Sequence, residues 1–481
     1  MKKILKIFSN KIFLYISSRY LTYFLQFISS IYIAVNLGPY YFGVYGFILL
    51  LISYLSTINF GITHSTTVLL VQSKTNEKEI SKIVSNSILL IFFISLLVII
   101  LSFLFFFIDI DYFKKYNINS YILFVPIIAI IGHFNILFLT IYRFKNKLFE
   151  VAFQQSFRPF LVFISVFIAP KENLLYIILL TYLIGDFIPL LLFIFKRQLP
   201  FEFKFSLNAC KKIIVKALYL FMYISSFGMI LITTRTFISY YYSVADFGFF
   251  SFSFSLANAI LLFLQALAFL FTPKILDKLN SNNNTETLLT IEKINSIYIT
   301  FSYFLLFLAI VFFPFCLDFF PKWKASLPTI NMSVISIMMI SNSFTFSSFL
   351  MAKNKEKLLS LISILSLLIN ILVSFLLIRV FTVKMEYVIL STMISYFIFG
   401  LLSTYYVYKI ISNYNFIKLF NCFLPVRLLI PYFVLIFSLS FNVSYASYIS
   451  LLIFIILNFK ELLSIIIYIK KAINNSSLID L

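Results

Sequence analysis

The sequence predicts an all-α, polytopic membrane protein of about 14 transmembrane helices, arranged as 6+6+2. Three observations predict this class. Of 481 residues, 62% are hydrophobic and 11% charged, whereas a soluble chain carries about a quarter charged residues. Mean hydropathy is +1.03. Apolar runs of roughly 20 residues, each long enough to cross a bilayer, recur from end to end. Spans of roughly 23 residues consume about 320 residues and leave about 160 for loops and tails, so no soluble domain fits. A soluble enzyme, a nucleic-acid binder and a secreted disulfide scaffold are excluded.

The runs fall at roughly 12–36, 42–70, 83–107, 120–142, 150–169, 174–195, 212–240, 246–272, 294–316, 327–350, 357–380, 385–410, 424–442 and 446–470. The net charge of +21 comes from 38 Lys and Arg against 17 Asp and Glu. With span-edge residues counted in the adjoining segment, 26 Lys and Arg lie in the two tails and the loops after even-numbered spans. Seven lie in the loops after odd-numbered spans, and five lie inside spans. Cytoplasmic segments collect Lys and Arg, so both termini are expected on the cytoplasmic side. Clusters such as Lys2, Lys3, Lys6 and Lys11 read as topology signals. Cys210, Cys316 and Cys422 are too far apart to form a disulfide framework or metal site.

The first twelve spans divide at the polar loop between spans six and seven. The expected organisation is an N-terminal lobe at 1–195, an inter-lobe loop at 196–211 and a C-terminal lobe at 212–410. Two additional helices and a cytoplasmic tail occupy 411–481. A faint repeat supports the division: Phe42-Gly43-Val44-Tyr45-Gly46-Phe47 opens span two, and Phe247-Gly248-Phe249-Phe250-Ser251-Phe252 opens span eight. An even number of spans per half inserts both halves the same way up, which predicts a pseudo-two-fold along the membrane normal and a central cavity.

A charge in mid-span costs about 2.5–3.5 kcal/mol on insertion scales, so each one needs a reason. Arg19, Arg158, Arg235 and Asp186 are such charges. Three Arg against one Asp make the expected cavity cationic and suited to phosphate, which Arg binds bidentately. Asp186 is the expected charge partner of Arg19 or Arg158. Polar residues at helical spacing mark the cavity lining: Gln26 in span one, Asn59 and Thr63 in span two, Asn258 and Gln265 in span eight. The alternative reading of such stripes is hydrogen bonding between packed helices. His64 and His133 read as buried, hydrogen-bonded histidines. Lys460 and Glu461 mark either a bend in span 14 or its early end. Asp109-Ile110-Asp111 resembles a metal-binding pair but stands alone on a loop. No catalytic residue, metal site or cofactor is expected, and no ATP-binding motif is present.

These residues carry a family resemblance. Arg19 and Gln26, then Asn36-Leu37-Gly38-Pro39-Tyr40-Tyr41-Phe42-Gly43-Val44-Tyr45, then Asn59-Phe60-Gly61-Ile62, resemble the opening of polysaccharide flippases. These are the O-antigen and oligosaccharide-repeat-unit transporters of the multidrug/oligosaccharidyl-lipid/polysaccharide (MOP) exporter superfamily. Thr233-Thr234-Arg235 stands where the family often has Asp-Arg, with Thr234 in place of the acid. The resemblance implies a MATE-like fold of two six-helix lobes with alternating access. It implies transfer of polyprenyl-diphosphate-linked oligosaccharide from the inner to the outer leaflet of a bacterial cytoplasmic membrane, for surface polysaccharide such as the O-antigen of lipopolysaccharide. Membrane lipids are expected partners, and the resemblance leaves room for a coupling ion, H+ or Na+, and for other polysaccharide-assembly membrane proteins. Two rival functions remain at this point. A multidrug or cation antiporter would want carboxylates in the cavity, and a membrane polymerase or glycosyltransferase would want a long outer loop.

Overall fold

The computed structural model describes residues 11–73, 76–107, 111–196, 205–279, 284–411, 415–440 and 446–474. They are all-helical. The helices are α1 (Lys11–Thr57), α2 (Ile62–Gln72), α3 (Glu77–Phe107), α4 (Asp111–Lys115), α5 (Phe124–Phe144), α6 (Leu148–Ile168) and α7 (Leu174–Phe195). They continue as α8 (Leu207–Tyr241), α9 (Val244–Leu279), α10 (Asn284–Asp318), α11 (Leu327–Met338), α12 (Phe344–Ala352) and α13 (Glu356–Phe375). The last are α14 (Met385–Val388), α15 (Leu390–Ile411), α16 (Phe416–Phe423), α17 (Val426–Ser440), α18 (Ala446–Leu457) and α19 (Phe459–Asn474).

Among the described residues, eleven helices are long and apolar enough to cross a membrane, or thirteen with two bent pairs counted as spans. The first of these is itself two helices merged across Gly38, which has φ 71° and ψ 172°. Dividing it at that residue recovers the expected separation of spans one and two. A Cβ on Gly38 would meet nothing within 4 Å, so glycine serves the left-handed backbone there and not a close approach.

One expectation fails locally. The sequence predicts span two to run unbroken through Asn59 and Thr63, but the helix stops at Thr57 and restarts at Ile62. Phe60 (φ 48°) and Gly61 (φ 70°) adopt positive φ, and the Asn59 side chain accepts a hydrogen bond from the Gly61 amide at 2.9 Å. That is the local bond with which Asn stabilises turns in competition with helix. Of the two readings of Lys460 and Glu461 in span 14, the structure has the bend, 73° between Leu457 and Phe459. Span 13 bends by 57° between α16 and α17. Residues 108–110 of the Asp109-Ile110-Asp111 motif lie outside the described residues.

Packing divides the chain into two compact units, Met1–Ser255 and Leu256–Leu481. The first unit centres on aromatic residues, with Phe42, Phe47, Tyr116, Phe247, Phe250 and Phe252 fully buried. The second buries Trp323, Tyr303, Tyr396 and Tyr408. Its Pro321–Ala352 segment is largely enclosed although rich in Ser, Thr and Asn. Buried polar groups there find one another: the Asn342 amide donates to the Tyr303 hydroxyl at 3.3 Å, and the Ser374 hydroxyl donates to Ser391 at 2.8 Å.

Candidate functional site

The sequence-marked polar residues with described side chains gather in the first unit, apart from Asn258, which lies just past its boundary. Helices α1 and α6 run side by side and are joined where the Thr22 and Ser156 hydroxyls bond at 2.6 Å. Arg19 lies one turn before Thr22 on α1, whereas Arg158, two residues after Ser156 on α6, turns toward α7. Arg19 donates to the Tyr23 hydroxyl and lies over its ring, 4.6 Å from the centroid. One turn further along α1, the buried Gln26 Oε1 has no partner among the described residues, and on α6 the Gln154 Oε1 is in the same state. Unpartnered buried acceptors mark places where water or a ligand completes the bonding.

Arg158 is tied into a network. Its Nη1 donates to Asp186 Oδ2 of α7 at 2.8 Å, and its guanidinium lies 5.1 Å from the Tyr182 ring centroid. Tyr182 bonds Tyr45 through their hydroxyls, so the network reaches the second half of α1. Gly185 lets α7 approach closely: a Cβ on it would come within 2.9 Å of the Arg158 Cα. The Asn135 amide of α5 donates to the Asp186 carbonyl at 2.8 Å. Of the two arginines proposed from sequence as partners of Asp186, the structure pairs it with Arg158. The pair is only partly enclosed, with the Arg158 side chain 39% and the Asp186 side chain 11% exposed.

Arg235 of α8 is different. It is buried, and among the described residues no carboxylate pairs with it. Its Nη2 donates to the Gly46 carbonyl at 3.1 Å, it lies 5.0 Å from the Phe254 ring centroid, and its Nε has no partner. Nearby, Ser30 of α1 bonds Ser255 of α9 at 2.9 Å, and the Ser251 hydroxyl is buried without a partner.

The repeated Phe-Gly segments meet each other in this region. A Cβ on Gly248 would stand 1.9 Å from the Pro39 carbonyl oxygen, and one on Gly43 would stand 2.1 Å from that of Val244. A Cβ on Gly46 would stand 2.3 Å from Ser251 Oγ. The glycines that made the repeat visible are therefore the points where two backbones touch.

Both ends of α8 are fastened as well. At its start Lys212 pairs with Glu79 at 2.8 Å, and the Ser206 amide donates to Asn86 Oδ1 at 3.0 Å. At its end Lys115 Nζ donates to the carbonyls of Ser239 (2.8 Å), Tyr240 (3.0 Å) and Tyr242 (2.5 Å). These belong to the last turn, whose carbonyls have no intrahelical partner, and a cation there also suits the helix dipole. Burial pushes the Lys115 ammonium below its ordinary pKa, opposed by the Asp246 carboxylate.

Of the remaining expected residues, Thr63 is buried with an unpartnered hydroxyl, and Asn258 is half-buried on α9. The Gln265 side chain lies outside the described residues. His133 is buried and its Nε2 lies 3.1 Å from the Leu55 carbonyl, while His64 is exposed instead of buried. Gln154 and Ser156 were not singled out in the sequence. Gln154 and Arg158 are four residues apart, the same helical spacing that marked α1.

The profile of a family described as "Polysaccharide biosynthesis protein" matches residues 8–272. The chain belongs to this family. Among solved structures it is similar to the lipid II flippase MurJ in an inward closed conformation, at 16% identity and a TM-score of 0.68. That match covers 95% of this chain and 99% of that one. It is also similar to an inward-facing MATE multidrug resistance transporter of the MOP superfamily, at 11% identity and a TM-score of 0.66, over 82% of this chain and 98% of that one. A MOP superfamily transporter from Pyrococcus furiosus with a binding pocket of reversed polarity matches at 13% identity and a TM-score of 0.60, over 85% and 96%. No curated protein matches. This family member is thus a multi-pass membrane protein with the MATE and MurJ fold.

Proposed function

We propose that this family member is a flippase that moves polyprenyl-diphosphate-linked oligosaccharide repeat units from the inner to the outer leaflet of the cytoplasmic membrane. It is a transporter and not an enzyme, and it works in two six-helix lobes, 1–195 and 212–410. The observation that carries the reading is the set of sequence-marked charges within the first unit's spans: Arg19, Arg158 and Arg235 against Asp186. A diphosphate headgroup needs a cationic, hydrated path, while its polyprenyl tail stays in lipid. Arg19 on α1 and Arg158 on the neighbouring α6 attract the diphosphate, and Arg235 receives it further along. Gln26, Gln154 and Ser251 offer hydrogen bonds to sugar hydroxyls. The Gly43–Gly248 contact closes one side of the path, and its parting opens that side.

The test is delivery of lipid-linked oligosaccharide to the outer leaflet in cells lacking their own flippase, with protein abundance matched. Wild type delivers, and Arg19→Ala and Arg158→Ala stall. Transport of cationic dyes with no sugar-lipid delivery would transfer the protein to the drug-exporter class. Normal delivery by both variants would make these arginines structural.

A further inference from the structure

The last two spans break on the same side. The helices that flank α17 and α18, α16 and α19, turn away from them by 57° and 73°. Steep bends at the same end of both spans place α16 and α19 where the apolar layer meets the headgroups.

Polar bonds hold the two bent helices in fixed directions. Arg427, in the first turn of α17, pairs with Glu461 of α19 and donates to the Ser296 hydroxyl of α10 at 2.7 Å. Asn458, at the break, donates to the Arg427 carbonyl at 3.1 Å. Lys418 of α16 pairs with Glu292 of α10 at 3.2 Å. On α19, Ile465 faces inward, while Phe459, Leu463 and Ile467 are 56%, 43% and 53% exposed. Their spacing of four residues makes one apolar stripe. On α16, Phe416 and Ile417 are likewise exposed. The same α19 segment carries Lys460, Lys470 and Lys471, and its one acid is already taken by Arg427. An apolar stripe on a lysine-bearing helix turned out of a span is the pattern of a helix lying in an interface.

We propose that α19, with α16 beside it, is a docking surface for the anionic phospholipids of the cytoplasmic leaflet. Phe459, Leu463 and Ile467 enter the acyl boundary, and the α19 lysines meet phosphate headgroups. The cytoplasmic side follows from the Lys and Arg asymmetry of the loops.

The test uses the full chain carrying Leu463→Trp, with buried Trp323, the only native Trp, as a constant background. It is reconstituted in phosphatidylcholine vesicles with and without phosphatidylglycerol. Trp at position 463 is quenched by acyl-brominated phosphatidylcholine and is shielded from aqueous iodide. In native mass spectrometry, wild type retains phosphatidylglycerol over phosphatidylcholine, and each Lys→Gln change at 460, 470 or 471 lowers that preference by about fivefold. Free iodide quenching without lipid quenching would put the helix in water and overturn the proposal. Quenching by neither agent would mean that protein covers the stripe, a second copy being the first candidate, and would overturn it equally. Undiminished phosphatidylglycerol preference in the triple variant would remove the electrostatic half. Flipping in the same vesicles is scored separately, so its loss would bear on the transport reading and not on this one.

Discussion

Replacing Asp186 by Ala leaves the Arg158 guanidinium without its counter-charge inside the first unit. Removing one partner of a fully buried pair costs about 3–5 kcal/mol, and an exposed pair contributes about 0–1 kcal/mol. This pair lies between those limits: the N–O distance is 2.8 Å and the carboxylate is nearly enclosed, but the Arg158 side chain is 39% exposed. Solvent screening on the arginine side lowers the expected cost of Asp186→Ala to about 2 kcal/mol. Arg158→Ala alone strands the better-enclosed carboxylate and costs about the same. The double variant Arg158→Ala/Asp186→Ala strands neither charge, so it loses less than the sum and shows a coupling energy of about 1–2 kcal/mol. The assay is SDS-induced unfolding in mixed micelles, run on all four corners of the cycle. Strict additivity, with coupling below about 0.5 kcal/mol, would refute the reasoning. Transport separates a second consequence. Asp186→Asn keeps the side-chain volume but frees Arg158 for a diphosphate, so half-saturation moves to lower substrate while maximal delivery falls, because release slows. A structural pair with no contact to substrate would change neither ratio.

Three further outcomes follow from the same geometry. Gly248→Ala and Gly43→Ala each place a methyl within 2.2 Å of a carbonyl oxygen; helix separation to relieve this costs about 1–3 kcal/mol, read as a lower melting temperature in detergent. Lys115→Met removes the donor to three terminal carbonyls of α8 and costs about 2 kcal/mol, measurable as faster amide exchange over 236–242 than in wild type. Arg235→Met replaces a buried, acid-free cation by an apolar side chain, which leaves the fold as stable as wild type or more so, yet abolishes delivery of the sugar lipid.

Much of this arrangement is legible in the sequence. The spans follow from hydropathy, and the charges that matter are visible because so few lie inside apolar runs. Gly38-Pro39 marks the turn between spans one and two, and the repeated Phe-Gly segments mark the place where α1 and α9 touch. What stays hidden is set by tertiary geometry. Asn59 and Thr63 stand at helical spacing, yet the helix breaks between Thr57 and Ile62. The break depends on Phe60 and Gly61 taking positive φ, which one Gly in an apolar run does not announce. Sequence alone leaves Asp186 with two possible partners; the close approach of α7 at Gly185 selects Arg158. Gln154 was overlooked because Gln near a span end reads as ordinary interface polarity, and its unpartnered oxygen shows only in three dimensions. The end of span 14 was ambiguous because Lys460 and Glu461 fit either a bend or a stop; the Arg427 pair at the break identifies a bend.

Helix α8 brings the energetic and functional arguments together. It is pinned at its start by Glu79 and Asn86 and at its end by Lys115, and in its last third it holds Arg235. A freely adjusting helix would turn such a cation toward water or an acid, because burial of an unpaired charge is costly. Pinned ends forbid that adjustment. The Gly46 carbonyl and the Phe254 ring supply partial compensation, and the Nε is left without a partner. Thr234, the residue before this arginine, contributes no charge. On the proposed reading, a rigid helix that keeps its guanidinium short of one anionic partner suits an anion that arrives and leaves, as a transported diphosphate would. A resident carboxylate beside Arg235 would stabilise the fold and compete with the cargo. Thr234→Asp is therefore the informative substitution: it stabilises the protein in SDS unfolding and slows delivery, and faster delivery would show that Arg235 does not meet the substrate.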